Sequence, residues 1–124
     1  MLSYKEFDNA KTAEIRIAGK VSTEEFDEVA EKLEAFIERH GEVRLMEIFE
    51  SFDGMEARAF WHDIRFSLRH LRDFDRCAVV CEATIFDLWS ELVAPFTKCE
   101  ARQFKPDQME EAREWLSGTG DAEI

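Results

Sequence analysis

The sequence predicts an α/β fold: a mostly parallel five-stranded sheet with one antiparallel edge strand and four main helices, in the order ββαβαβαβα. Three observations carry this. Short apolar segments alternate with longer amphipathic ones, which implies right-handed crossovers between parallel strands. The first two short segments are joined by a polar turn, which reads as a hairpin and supplies the antiparallel strand. Two later segments are apolar on both faces, as strands covered on both sides by helices must be.

Each element has its own signature. "LSYKEF" and "AEIRIAG" are short strands, and in the second Ile15 and Ile17 alternate with Glu14 and Arg16. Such a period of two belongs to a half-buried strand. Asp8, Asn9 and Lys11 supply the turn between them. In "VSTEEFDEVAEKLEAFIERHG", Ser22 and Glu25 form a capping box at the start of a helix. Phe26, Val29, Ala30, Leu33 and Ile37 make its apolar stripe, and Gly41 closes it. "EVRLMEIFES" is a strand with Val43, Leu45 and Phe49 on one face and Met46 and Ile48 on the other. Asp53 is placed to cap a second helix, "GMEARAFWHDIRFSLRHL", with Ala57, Phe60, Trp61, Ile64 and Leu68 as its buried stripe. "RCAVVCE" is another two-faced strand. Thr84 and Asp87 open a third helix, "IFDLWSELV", ended by Pro95. "KCEARQF" alternates as an outer strand, and Pro106 and Asp107 open a last helix, "QMEEAREWL", closed by Gly118. Residues 1–118 read as one domain and 119–124 as a frayed tail.

Composition narrows the function classes. The chain has 124 residues, 45% of them hydrophobic, with eleven Phe and three Trp, enough for one well-formed core. Its formal net charge of -12, from 28 acidic and 16 basic residues, disfavours a nucleic-acid partner and an anionic membrane surface. No apolar run is long enough to span a bilayer, and the start lacks the pattern of a signal peptide, so a soluble cytoplasmic protein without stable membrane insertion is expected. Three cysteines without CxxC spacing, Cys77, Cys81 and Cys99, fit reduced core thiols better than disulfides or zinc.

The stretch Phe60–Cys81 concentrates histidines, aspartates, arginines and cysteines, yet no reaction centre emerges. His62 and His70 lie more than two helical turns apart and cannot share a metal directly. His62 with Arg58, and Asp63 with Ser67, have the spacing of helix-surface pairs. Asp75 and Arg76 read as an ion-pair joint at the start of a strand. Cys77 and Cys81 share a strand face about 13 Å apart, too far to bond. Ser51, Ser67 and Ser90 lack a nucleophile elbow, and the five glycines form no phosphate-binding loop. No catalytic residue, metal site or cofactor is expected. The aromatic surplus points to an interface or an apolar pocket, since Trp61 and Phe66 occupy different faces of one helix.

Six stretches in order and spacing carry a family resemblance: "GKVSTEEFDEV", "HGEVRLMEIFESFDGME", "WHDIRF", "DFDRCAVV", Pro95–Phe96 and "EARQFKPDQMEEAREWL". With them the chain resembles the SpoIIAA-like (STAS/SEC14-type) small bacterial domains over nearly its full length. The resemblance implies a sheet whose parallel strands follow one another in sequence, and it implies no established enzymatic activity. STAS relatives carry a phosphorylatable Ser in an Asp-Ser-Gly-type motif. Here the region reads "ESFDGMEA", with Ser51 ahead of the turn and Asp53 at the cap position. SEC14-like relatives hold a lipid in an apolar cavity. The expected function is a non-enzymatic binding or regulatory module acting through protein contacts, with a homodimer as the expected assembly. The alternative is a carrier or sensor of a small apolar ligand or lipid. The expected working surface is the loop Ser51–Met55 and the helix behind it, because ligands of open parallel sheets meet the carboxyl ends of strands. Its residues are Phe52, Asp53, Gly54, Trp61 and Asp63.

Overall fold

Five strands form one sheet in the order of their sequence: β1 (Leu2–Phe7), β2 (Thr12–Ile17), β3 (Val43–Phe49), β4 (Phe74–Val80) and β5 (Glu100–Phe104). β1 pairs antiparallel with β2 and is an edge strand, and every later pairing is parallel. The computed structural model describes residues 1–70, 72–96 and 98–118; Leu71, expected at the end of the second helix, and the tail 119–124 lie outside them. Helices α1 (Thr23–His40), α2 (Ala57–Arg69) and α3 (Ala83–Leu92) follow β2, β3 and β4, and α4 (Met109–Leu116) follows β5.

The local signals behave as their chemistry dictates. The Ser22 hydroxyl accepts from the Glu25 N–H at 3.2 Å, and the Glu25 carboxylate accepts from the Ser22 N–H, so both halves of the capping box are made. Glu25 also accepts from the Leu2 N–H at 3.1 Å, which ties the cap of α1 to the edge strand. Lys11 takes φ 50° in the hairpin turn, its N–H donating to the Asp8 carbonyl.

Odd-numbered residues of β3, with Phe74, Cys77 and Val79 of β4, face α1, α2 and α3, while Met46, Ile48, Ala78 and Val80 face α4; a register shift between Val43 and Leu45 puts Phe74 out of phase. Val43, Leu45 and Phe49 therefore part from Met46 and Ile48, as the period of two requires. The α4 side is a tight cluster of Met46, Ile48, Ala78, Val80, Phe104, Ala112, Trp115 and Leu116. Two arginines of that face hold the C-terminal end of α4. Arg44 donates to the Leu116 carbonyl and to Asp75, and Arg76, only 2% exposed, donates to the Trp115 carbonyl and lies over the Trp115 ring. Cations at this end of a helix meet its unpaired carbonyls. Asp75 and Arg76 are thus structural, although each takes a different partner. Gly118 follows at φ +87°, where an added Cβ would lie 2.9 Å from the Arg44 guanidinium.

Three helix starts differ from expectation. Asp53 does not cap α2, which begins at Ala57 behind Glu56 without a side-chain cap bond. Residues 50–56 instead stay extended, because they continue the pairing of β3 with the chain leaving β2. Glu50, Asp53 and Glu56 N–H groups donate to the Ile17, Gly19 and Val21 carbonyls, and the Val21 N–H donates to the Gly54 carbonyl. α3 begins at Ala83 behind Glu82, one turn position ahead of the Thr84–Asp87 box, and α4 begins at Met109 behind Gln108 rather than at Pro106–Asp107.

The buried face of α2 also differs. Trp61 is 61% exposed and Leu68 51%, and Ala57 is exposed; Ala59 and Phe66 are the buried residues, with Asp63 on the same inward side. The helix is turned by about one residue from its apolar stripe. An acid on the inward face had broken the periodicity that should have marked it. His62 accordingly pairs across to Asp27 of α1 at 2.7 Å rather than with Arg58.

Candidate functional site

The sheet face covered by α1, α2 and α3 is not filled. A cavity of about 170 Å³ opens between them, lined by Leu45, Glu47 and Phe49 of β3, Cys77 of β4, Val29 and Leu33 of α1, Phe60 and Asp63 of α2, and Trp89 of α3. Its walls are overwhelmingly apolar, and no Lys, Arg or His is among the lining residues. Phe52 closes one side, its ring edge-to-face with Phe49 at 5.8 Å between centroids. Leu88 and Leu92 of α3 reach from the cavity to solvent. An apolar void of this size is comparable to one that admits a single aromatic ring, about 150 Å³.

The polar groups of the cavity are few and converge. Glu47 stands on β3 in register with Val43, Leu45 and Phe49, so the pleat delivers its carboxyl to the hollow face. Glu47 is half-buried at the cavity wall. Burial pushes its carboxyl up to about 8, and the nearby Asp63 charge adds to the effect. At neutral pH Glu47 is therefore mostly the neutral acid. The Cys77 thiol donates to Glu47 Oε1 at 3.5 Å. The Trp89 indole faces the same carboxyl and favours its ionised form, but its buried Nε1–H completes no hydrogen bond. Asp63, across from Glu47 on α2, is pushed up to about 6 by burial alone.

The thiols do not form a nucleophilic centre. Contact with the Cys99 thiol, then burial, pushes Cys77 well above the ordinary thiol range. Burial pushes Cys81 up to about 11. A reactive cysteine needs the opposite shift, produced by a cation or a helix N-terminus. Among the described residues, no group of three or more His, Cys, Asp or Glu is arranged to hold a metal ion. No helix of the described residues is long and apolar enough to cross a membrane.

The residues expected at the working surface divide in two. Phe52 and Asp63 meet in the cavity. Asp53 is exposed and Gly54, at φ +106°, only half so; both lie outside it, in the extended segment beside Gly19 and Val21. Backbone N–H groups of Asp53 and Glu56 are consumed by that pairing and do not face outward as an anion or partner site. Trp61 lies on the outer side of α2, edge-to-face with the cavity residue Phe60 at 5.7 Å. Ser51 is a hydrogen-bond acceptor for the Gly19 N–H at 2.9 Å. Glu47 escaped the sequence reading, although the signal was there: an acid in phase with the inward apolar residues of a central strand. Cys99 and Cys77 meet only because β5 starts beside β4, which no local pattern announces.

Comparison with known proteins agrees with this architecture. A family model described as SpoIIAA-like matches residues 12–117. An uncharacterised protein with a SpoIIAA-like fold from Shewanella loihica superposes with a TM-score of 0.74 and 20% identity, over 94% of this chain and 92% of that one. The anti-sigma factor antagonist SpoIIAA in its unphosphorylated form superposes with a TM-score of 0.65 and 14% identity, over 95% and 99%. At such identities the likeness speaks for the fold. No functionally curated protein matches the sequence.

Proposed function

We propose that this chain, which belongs to the SpoIIAA-like family, is a non-enzymatic binding module whose cavity takes one small, largely apolar guest. The observation that carries this is the unfilled apolar space on one sheet face, opposite the close cluster of buried side chains under α4. Protein interiors are ordinarily close-packed, and an apolar void forfeits contacts that a guest would restore. The neutral Glu47 carboxyl and protonated thiols favour holding a molecule over transforming it. The guest is small: the cavity is below the 300–1,000 Å³ or so of sites for drug-sized ligands. Ethylbenzene is a suitable probe. Added to the folded protein, it should shift the amide resonances of Val29, Leu45, Phe52 and Asp63, and Leu45→Trp, which fills the cavity, should abolish the shifts. Shifts that are absent, or scattered over the α4 face, would overturn the reading.

A second reading, contact with a protein partner or a second copy of the chain, draws on one specific observation. Trp61 and Leu68 of α2 and Leu88 and Leu92 of α3 are all more than two-fifths exposed. Large apolar side chains gathered on neighbouring helices are the usual mark of an interaction surface.

A further inference from the structure

The two acids of the cavity have no basic partner among the described residues, unlike several acids elsewhere in this chain. Asp75 meets Arg44, Glu14 meets Arg113, Asp27 meets His62, and Glu34 and Asp73 both meet His70. Asp63 is half-buried, lines the cavity, and makes no hydrogen bond or ion pair among the described residues. Glu47, a second acid, lines the same cavity and feels the Asp63 charge. Two carboxyls in one low-dielectric space repel when ionised and are costly to bury unpaired. A cation between them would remove both penalties.

Resting on the reading that the cavity holds a guest, we propose that the guest is a small lipophilic amine, bound as its ammonium ion between Glu47 and Asp63. Its hydrocarbon part lies against the aromatic walls. An anion would face two acids and no base. A neutral carbonyl would satisfy one carboxyl only, and an alcohol, which can donate to one and accept from the other, would leave their negative charge without a counterion. An ammonium group donates three hydrogen bonds and accepts none, which suits a site whose acceptors outnumber its donors. Phe49, Phe52, Phe60 and Trp89 line the cavity and add ring faces that attract a cation. The unpartnered Trp89 N–H favours the charged form of Glu47 and so supports the carboxylate that the guest requires. Charge balances simply: the ammonium ion enters, and the proton held by Glu47 leaves to solvent. Facing Glu47 are Asp63 from α2, Cys77 from β4 with Cys81 beyond its end, Cys99 ahead of β5 and the Trp89 N–H from α3, while α1 presents only hydrocarbon. Binding of the amine therefore strengthens as pH rises from 6 to 8.5.

Four near-isosteres test this by calorimetry or resonance shifts: 2-phenylethylammonium, 2-phenylethanol, ethylbenzene and 3-phenylpropionate. The ammonium ion should bind at least about tenfold more tightly than the alcohol, as one good charge-assisted contact provides. The carboxylate should bind weakest. Glu47→Gln and Asp63→Asn, each checked for fold by circular dichroism, should each remove most of the amine's advantage and leave ethylbenzene affinity within about twofold. Glu47→Gln should also flatten the pH dependence. Equal or tighter binding of the alcohol or ethylbenzene by the wild-type protein would overturn the amine while leaving the cavity reading intact. This comparison needs no variant. Failure of all four to bind would overturn both.

Discussion

Glu47 shows how a single side chain reports its surroundings through titration. Its acid form is favoured in the folded chain, with a pKa of about 8 against 4.5 when unfolded. The unfolded chain therefore gives up this proton first as pH rises, so the contribution of Glu47 to stability is full below pH 4.5 and is lost toward pH 8. Asp63 acts in the same direction between pH 3.8 and about 6. Glu47 is only half-buried, so solvent screens part of the effect and the loss is roughly 2 kcal/mol rather than the full dry-site value. Urea unfolding at pH 5 and 8.5 should show this loss, and Glu47→Gln should recover about half of it or more at the higher pH. Unchanged midpoints in the variant would mean that Glu47 is solvated. Legibility at this scale followed locality. Ser22 and Glu25, three positions apart, were readable as a cap. Glu47 was not, because a charged residue among apolar neighbours is easily assigned to the outside.

At the scale of the element, α2 is the instructive case. Its existence was plain from helical spacing, but its start and its orientation were not. The start moved because residues 50–56 found backbone partners in the chain leaving β2, a contact between segments about thirty positions apart. The orientation moved because Asp63 occupies the inward face and Trp61 the outward one. Trp61→Ser is the direct check. An exposed tryptophan contributes little to folding, so stability should change by less than about 0.5 kcal/mol. If α2 and α3 form the face between two copies, the same substitution should lower the mass seen by light scattering toward that of a monomer at micromolar concentration. A wild-type protein already monomeric at every concentration would end the dimer reading. α1 and β3, by contrast, were legible nearly to their ends, since their caps and pleats are set by neighbouring residues.

Across the whole molecule, the sheet order was legible because strands and helices alternate and crossovers have one hand. The hollow side was not, since volume is a property of all the side chains together. That asymmetry carries a consequence for how the protein tolerates change. Met46 and Leu45 are neighbours in sequence, but Met46 is fully enclosed in the α4 cluster while Leu45 borders empty space. Truncating Met46 to Ala should cost about 2–5 kcal/mol, because its neighbours cannot close the gap. Leu45→Ala enlarges a void that already exists and loses fewer contacts, so its cost should fall below that of Met46→Ala in matched denaturation curves. Equal costs would mean that the two faces are packed alike. Drift in sequence is therefore cheap on one side of the sheet and expensive on the other. One surface of β3 tolerates revision, while the opposite surface keeps the chain folded through it.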